Sequence, residues 1–151
     1  MASRFGLEIR AADSVDAPGV AELLQAAGLP GSAAAIAARL ERLRAERATV
    51  LLAVEWGPPS GIIIFHPRQT LLADLPVAFV GALVVGPDAR RRGIGRLLVK
   101  AASQAARSAG CGELALSATP EDASLRAFAE ATGFSASETS FVRALRKQRP
   151  G

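Results

Sequence analysis

Residues 77–109 read VAFVGALVVGPDARRRGIGRLLVKAASQAARSA. The stretch opens with nine uncharged residues rich in valine, 77–85, a composition typical of a fully buried strand. Gly86 and Pro87 end this strand, because proline has no N–H to donate to a ladder. After a basic run and two glycines, apolar residues recur at spacings of three and four along 94–109, which predicts a helix with one buried face. We therefore predict a strand, a glycine-rich basic turn and a helix in immediate succession.

The turn has the features of an anion-binding site. The first amides of a helix have no partner inside the helix and lie at the positive end of its dipole. Gly93 and Gly95 lack the Cβ that would hold a phosphate group away from those amides. The arginines at 90–92 and Lys100 add positive charge. A merely solvated basic turn is the alternative; it is disfavoured because the glycines follow the arginines directly and a helix begins on them.

Three stretches resemble a known family. Arg90-x-x-Gly93-x-Gly95 after an apolar strand resembles the acyl-CoA signature, Arg/Gln-x-x-Gly-x-Gly/Ala, of the GNAT N-acetyltransferase superfamily. ASLRAFAEATGF at 123–134 resembles the later helix of that family, and the chain end near 141–145 is similar to the branch of aminoglycoside and aminoalkylphosphonate N-acetyltransferases. The resemblance implies an α/β (α+β) GNAT acyl-CoA N-acyltransferase fold. In that fold a mixed, mostly antiparallel sheet of about six to seven strands has helices on both faces.

Periodicity and turn residues place the elements along the chain. Strands are predicted at 5–10, 49–55, 61–65, 77–85, 113–118, 134–137 and 140–145. Asp13 or Asp16 is expected to cap the first helix, Ser32 the second and Thr119 the last, because short polar side chains satisfy the free amides at helix starts. The length predicts a single domain over 1–151, with a core at about 5–145 and a loose basic tail at 146–151.

Bulk composition narrows the class of protein. Half of the residues are hydrophobic and 21% are charged, which is typical of a globular chain. The chain has a single cysteine and no apolar stretch of membrane-spanning length, so we expect a cytoplasmic protein without membrane contact. The net charge of +4 would suit a nucleic acid or a small polyanion. Aromatic residues are only 5%, which disfavours stacking on single strands and hence a nucleic-acid partner.

The resemblance implies how acetyl-CoA would be bound. The diphosphate is expected at the turn, and the pantetheine arm on free backbone groups where the central strand splays from the strand at 113–118. A backbone N–H there would also polarise the thioester carbonyl. The expected CoA-binding residues are Leu83, Val84, Val85, Arg90, Arg91, Arg92, Gly93, Ile94, Gly95, Arg96, Ser117, Asp122, Leu125 and Phe128.

The groups that would move protons are less clear. In the resembled family a tyrosine on the last helix usually protonates the departing thiolate, but Ala129 stands at that position and the chain has no tyrosine. A glutamate near the central strand often serves as base, yet 77–85 has no ionisable side chain. The catalytic candidates are Glu55, Asp74 and Ser117, with no metal site. His66 and Cys111 fit surface and packing roles better.

The expected function is acetyl transfer from acetyl-CoA to a primary amine of a small molecule, directly within a ternary complex. Two alternatives stay open: a GNAT module that binds acyl-CoA without turnover, and a basic nucleic-acid-associated domain. The sequence does not specify the amine, and it leaves homodimer formation open.

Overall fold

The computed structural model describes residues 3–4, 6–90, 92–117, 122–137 and 141–146. The chain divides into two compact units, residues 1–116 and 117–151. In the described residues the first unit contains a sheet and three helices, and the second contains one helix. The single domain over 1–151 stays a prediction.

One sheet of six strands forms among the described residues, in the order β1-β2-β3-β4-β5-β6. The strands are β1 (Ser3–Arg4), β2 (Leu7–Ala11), β3 (Thr49–Val54), β4 (Gly61–Arg68), β5 (Val77–Val85) and β6 (Glu113–Leu116). All neighbours are antiparallel except β5 and β6, which are parallel. The predicted mixed, mostly antiparallel sheet is thus confirmed, with its strand count at the lower end of the expected range.

Three helices belong to the first unit: α1 (Ala17–Ala26), α2 (Ala33–Ala45) and α3 (Ile94–Ser108). Ser32 caps α2 as expected, since its side chain accepts from the Ala35 N–H at 3.1 Å. Asp13 caps a 3₁₀ turn, Ser14–Asp16, that leads into α1. Helix α3 begins where the apolar periodicity predicts and ends at Ser108, one residue before the predicted end, and Gly110 has a left-handed φ of +85°.

Helices cover both faces of the sheet. Leu52 of β3 and Ile62 of β4 pack in one core cluster with apolar residues of α1 and α2. Neighbouring residues of a strand point to opposite faces, so Gly61 faces the other side. There α3 crosses the sheet: a Cβ built on Gly61 would lie 2.8 Å from Leu98 Cδ1 and 3.2 Å from Ile94 Cγ2. The absent side chain lets the start of α3 approach the sheet closely.

Strand β4 is longer than the predicted 61–65. It continues through Pro67 to Arg68, paired with the start of β5. The β3 pairing ends at Thr49–Phe65, so Pro67 lies in a segment with a neighbour on one side only. Proline is tolerated there, because its missing N–H need not break a ladder. The loop between β4 and β5 is therefore shorter than residues 66–76, the gap between the two predicted strands.

The two final strands predicted at 134–137 and 140–145 are wrong for the described residues 134–137 and 141–145, which form no strand; Ser140 lies outside them. The apolar side chains of Phe141, Val142 and Leu145 are exposed. Strand propensity is realised only where a neighbouring strand accepts the hydrogen bonds and packs on the side chains. The pattern of these segments was strand-like, but no described strand pairs with them.

No helix in the described part of the chain is long and apolar enough to cross a membrane.

Candidate functional site

The turn between β5 and α3 leaves backbone amides unoccupied. Gly93 is the N-cap of α3 with a left-handed φ of +77°, and it has no side chain to bond the amides that follow. The first backbone hydrogen bond of the helix is donated by the Leu97 N–H to the Gly93 carbonyl at 3.1 Å. The amides of Ile94 and Gly95 therefore have no acceptor among the described residues. These are the free donors that an anion site at a helix start requires.

The basic side chains of the turn have different surroundings. Arg90 and Lys100 are exposed. Arg92 donates from Nη2 to Glu55 Oε1, which forms an ion pair across the turn. Arg96 is exposed and engaged in an interaction of its own. Arg91 lies outside the described residues.

The backbone N–H and C=O groups of successive β5 residues point alternately towards β4 and away from it. The Gly86 N–H donates to the Ser60 carbonyl at 2.9 Å. In an antiparallel ladder the hydrogen-bonded pairs alternate, so the next such pair towards the strand interior is Ile62–Val84. The backbone groups of Leu83 and Val85 consequently point to the opposite side of β5, away from β4.

That side of β5 is open at its carboxyl end. Parallel pairing with β6 covers only the start of the strand and ends at Val80–Leu116. Gly81 forms a bulge, since Ile64 pairs with Ala82 while Phe65 pairs with Val80. Among the described residues no strand pairs with 81–85 on the β6 side. The backbone therefore provides free hydrogen-bonding groups at Leu83 and Val85.

Val84, expected with its neighbours to bind the pantetheine arm, has a different environment. Its carbonyl faces β4, where it lies 3.3 Å from the position of a Cβ on Gly61. Its side chain packs against the α1–α2 cluster. Of the three β5 residues expected to contact CoA, Leu83 and Val85 have backbone groups on the open side, whereas those of Val84 are directed to β4.

Two of the three catalytic candidates, Glu55 and Asp74, lie near opposite ends of β5, and the third, Ser117, belongs to the second unit. Glu55 directly follows β3 and is paired with Arg92. Asp74 is exposed in the loop before β5. Since β5 has nine residues, that loop and the start of α3 are separated by about 26 Å of strand. Ser117 is exposed and follows β6 rather than lying on it, because β6 ends at Leu116.

In the second unit, α4 (Ala123–Ala131) begins later than the sequence suggests. Asp122 is its N-cap, with Oδ1 accepting from the Leu125 N–H at 2.9 Å. Thr119, expected to cap this helix, lies outside the described residues. Leu125 and Phe128 are half-buried on α4. Asp122 thus has a structural role that its residue type favours, since aspartate is among the preferred N-caps.

Sequence reasoning missed the contact between Glu55 and Arg92. The two residues are 37 positions apart, and no periodic pattern links them. A usable signal was the position of Glu55 directly after a strand, since the ends of alternate antiparallel strands meet at one edge of a sheet. Among the described residues, no group of three or more potential metal-binding side chains was found.

More than nine tenths of the chain is similar to solved acetyltransferases. A putative acetyltransferase from Agrobacterium tumefaciens is 30% identical, with a TM-score of 0.80 over 91% of this chain and 99% of that one. AAC(6')-Iy in complex with the bisubstrate analogue CoA-S-monomethyl-acetylneamine is 24% identical, with a TM-score of 0.78 over 93% and 99% of the two chains. An aminoglycoside acetyltransferase from an uncultured soil metagenomic sample, in complex with sisomicin, is 20% identical, with a TM-score of 0.75 over 95% and 97%.

A search of curated protein sequences found no significant match. The model of the acetyltransferase (GNAT) family matches residues 20–134. This range contains β3 to β6 and all of α2, α3 and α4, and thus the uncapped turn and the open edge of β5. The chain belongs to the GNAT acetyltransferase family.

Proposed function

We propose that this protein is an N-acetyltransferase that moves the acetyl group of acetyl-CoA to a primary amine of a small molecule. The observation that carries the proposal is the uncapped start of α3, where the amides of Ile94 and Gly95 have no acceptor among the described residues. Membership of the GNAT family supports the same donor, because members of this family use acetyl-CoA.

The residues present fit coenzyme A. The diphosphate would accept from the amides at the start of α3, with charge supplied by Arg90, Arg92 and the other basic residues of the turn. The pantetheine arm is polar along its length and would bond the outward backbone groups of Leu83 and Val85. An outward N–H of β5 would polarise the thioester carbonyl, so that the reaction is promoted by positioning and by a fixed dipole.

The proposal also covers the residues of the second unit. Ser117, Leu125 and Phe128 are kept as candidate contacts to CoA. Asp122 would contribute through its cap on α4, which fixes the start of that helix. Arg91 is included on the sequence motif alone.

Transfer to an amine requires that the attacking nitrogen lose its proton. Asp74 is the candidate base that carries no described ion pair, whereas Glu55 already accepts from Arg92, and Ser117 is the candidate donor to the thioester sulfur. Direct attack in a ternary complex needs no protein nucleophile, and a thiolate leaves readily without an acid because thiols have a pKa near 8.5. We propose direct transfer for this reason.

A small polyamine is the acceptor class that the neighbours favour. Both the acetylneamine analogue and sisomicin are named as ligands of similar structures. The proposed location is the cytoplasm, where acetyl-CoA is available.

The second candidate function is acyl-CoA binding without turnover. Two observations favour it: the chain has no tyrosine, and β5 has no ionisable side chain. In this case the turn and the open edge of β5 would hold the ligand, and no amine would be acetylated.

Two measurements test the proposal in sequence. Acetyl-CoA at 100 times its dissociation constant should stabilise the protein by about 2.7 kcal/mol, which is visible as a raised melting temperature. Release of free thiol is then followed across a panel of amines, including polyamines. An unchanged melting temperature at millimolar acetyl-CoA would contradict both candidate functions. Stabilisation without amine-dependent thiol release would leave only the binding module.

A further inference from the structure

The Glu55–Arg92 ion pair is formed at one edge of the sheet. Strands β3 and β5 run in the same direction, because each is antiparallel to β4 between them. The register aligns Ala53 of β3 with Gly61 of β4 and Val85 of β5. Glu55 therefore leaves the sheet at the edge where the chain turns from β5 into α3.

The two partners of the pair differ in exposure. The Glu55 side chain is 20% exposed and that of Arg92 is 52% exposed. The carboxylate is thus the enclosed partner, and the guanidinium extends towards solvent. If Arg92 moved away, a partly buried carboxylate would lose its only described partner, which is unfavourable. The ion pair consequently restrains the side chain of Arg92, the residue directly before Gly93.

We propose that Glu55 is a positioning residue, which holds Arg92 beside the free amides of Ile94 and Gly95 so that it meets the diphosphate of CoA. This inference rests on the proposed function. A guanidinium presents five N–H donors in a plane, and Arg92 donates to Glu55 Oε1 from Nη2 alone, so donors remain for a phosphate. The residue that the sequence suggested as a general base thereby acts in binding of the acetyl donor.

The role differs in a measurable way from that of a base. A positioning residue that acts through Arg92 changes the affinity for CoA, and its loss raises the KM for acetyl-CoA. Loss of a general base lowers kcat and leaves the affinity for CoA unchanged. The amide of glutamine can still accept from Arg92, so Glu55→Gln should be milder than Glu55→Ala.

The experiment compares the dissociation constant of CoA by calorimetry in wild type, Glu55→Ala, Glu55→Gln, Arg92→Ala and the double variant Glu55→Ala/Arg92→Ala. Glu41→Gln is the matched control, because it removes the same charge from an exposed site with no described ion pair. We expect Glu55→Ala to weaken CoA binding about tenfold. The double variant should bind no more weakly than Arg92→Ala, because both changes remove the same interaction.

The outcomes separate this inference from the proposed function. Unchanged or tighter CoA binding by Glu55→Ala, additive losses in the double variant, or a fall in kcat at constant KM would each overturn the positioning role. Absence of CoA binding by the wild type would overturn the proposed function itself. Melting temperatures without ligand show whether each variant is folded, and Glu55→Gln provides the test if Glu55→Ala is not.

Discussion

Gly93 has a backbone conformation that few other residues adopt. Its φ of +77° is left-handed, and a side chain there costs about 1 kcal/mol. Gly28 has nearly the same φ, +78°, with nothing within 4 Å of a Cβ built on it. The two glycines differ in location, since only Gly93 precedes the free amides of α3. A comparison of the two single variants, Gly93→Ala and Gly28→Ala, therefore separates the cost of backbone strain from an effect on ligand binding.

We expect Gly93→Ala and Gly28→Ala each to lower the free energy of unfolding by about 1 kcal/mol, measured with urea. Only Gly93→Ala should also weaken CoA binding, by about tenfold, because the distorted turn misaligns the amides of Ile94 and Gly95. Equal CoA affinities of the two variants would contradict a diphosphate site at this turn.

A second residue-scale feature is the ion pair between Arg10 and Asp16. The guanidinium donates to both carboxylate oxygens, Nη1 to Oδ2 at 2.9 Å and Nη2 to Oδ1 at 2.7 Å. Asp16 also accepts from the Asp13 N–H at 2.7 Å. The hydrogen bond from Arg10 is the main cause that lowers the pKa of Asp16, and the same bond raises the pKa of Arg10. The pair joins β2 to the turn before α1.

Asp16→Asn should lower the free energy of unfolding by about 1–2 kcal/mol at neutral pH. Asp16 has a folded-state pKa below its ordinary value of 3.8, so its contribution is complete above the unfolded pKa and lost as the pH falls through the folded one. The difference between wild type and variant should be constant above about pH 5 and narrow in stronger acid. Denaturant titrations over this pH range measure it, with the exposed Glu22→Gln as control. A difference that grows in acid would contradict the assignment.

At the scale of elements, the contact of α3 with β4 determines where the uncapped amides lie. Gly61 faces Ile94 and Leu98, both fully buried. The first turn of α3 is therefore seated on the sheet beside the end of β5. The packing of a helix on a glycine thus connects the hydrophobic core to the turn that we propose binds the diphosphate.

Gly61→Ala should destabilise the protein by about 1–3 kcal/mol, because the added methyl group forces buried side chains of α3 to shift. Gly81→Ala is the control: nothing lies within 4 Å of its Cβ and its φ is not left-handed, so we expect a change below about 0.5 kcal/mol. Thermal or urea unfolding of both variants gives the comparison. Similar free energies of unfolding of the two variants would show that the side chains of α3 can shift without destabilising the protein.

At the scale of the whole molecule, the net charge of +4 attracts any anionic partner. Two kinds of anion differ in how many phosphates they present. CoA has a diphosphate and one further phosphate, whereas a nucleic acid offers a continuous row of phosphates. The salt dependence of binding therefore distinguishes the proposed function from a nucleic-acid role.

We expect CoA binding to weaken by no more than about tenfold between about 0.05 M and about 0.5 M NaCl, because few charges are involved and some are partly enclosed. Any binding of DNA should be weak, and CoA should displace it where it uses the basic turn. Tight, steeply salt-dependent DNA binding that CoA does not weaken would favour the nucleic-acid alternative. Calorimetry and fluorescence anisotropy measure the two affinities.

Local pattern predicted much of this protein. The valine-rich run at 77–85 became β5 with the predicted bounds, but the expected full burial is wrong, since only Ala78 and Val80 are buried and Gly81 is exposed. Helix α3 begins at Ile94, between the two glycines, as predicted, because periodicity and helix-start chemistry are properties of neighbouring residues. The family, too, was identified from contiguous motifs, 90–95 and 123–134. By itself, then, the sequence determined most of the elements, their order and the position of the glycine-rich turn, although it did not indicate β1 and predicted two final strands that the described residues do not form.

Only the tertiary structure decided which of these groups meet. It paired Glu55 with Arg92, directed the backbone of Val84 to β4 and that of Leu83 outward, and extended β4 through Pro67. It also left the strand-like segment at 141–145 unpaired among the described residues. The physical reason is that strand pairing, its register and the residues whose backbone groups face the partner all depend on a neighbouring strand distant in sequence. The sequence of either strand alone shows no pattern from which these contacts could be predicted.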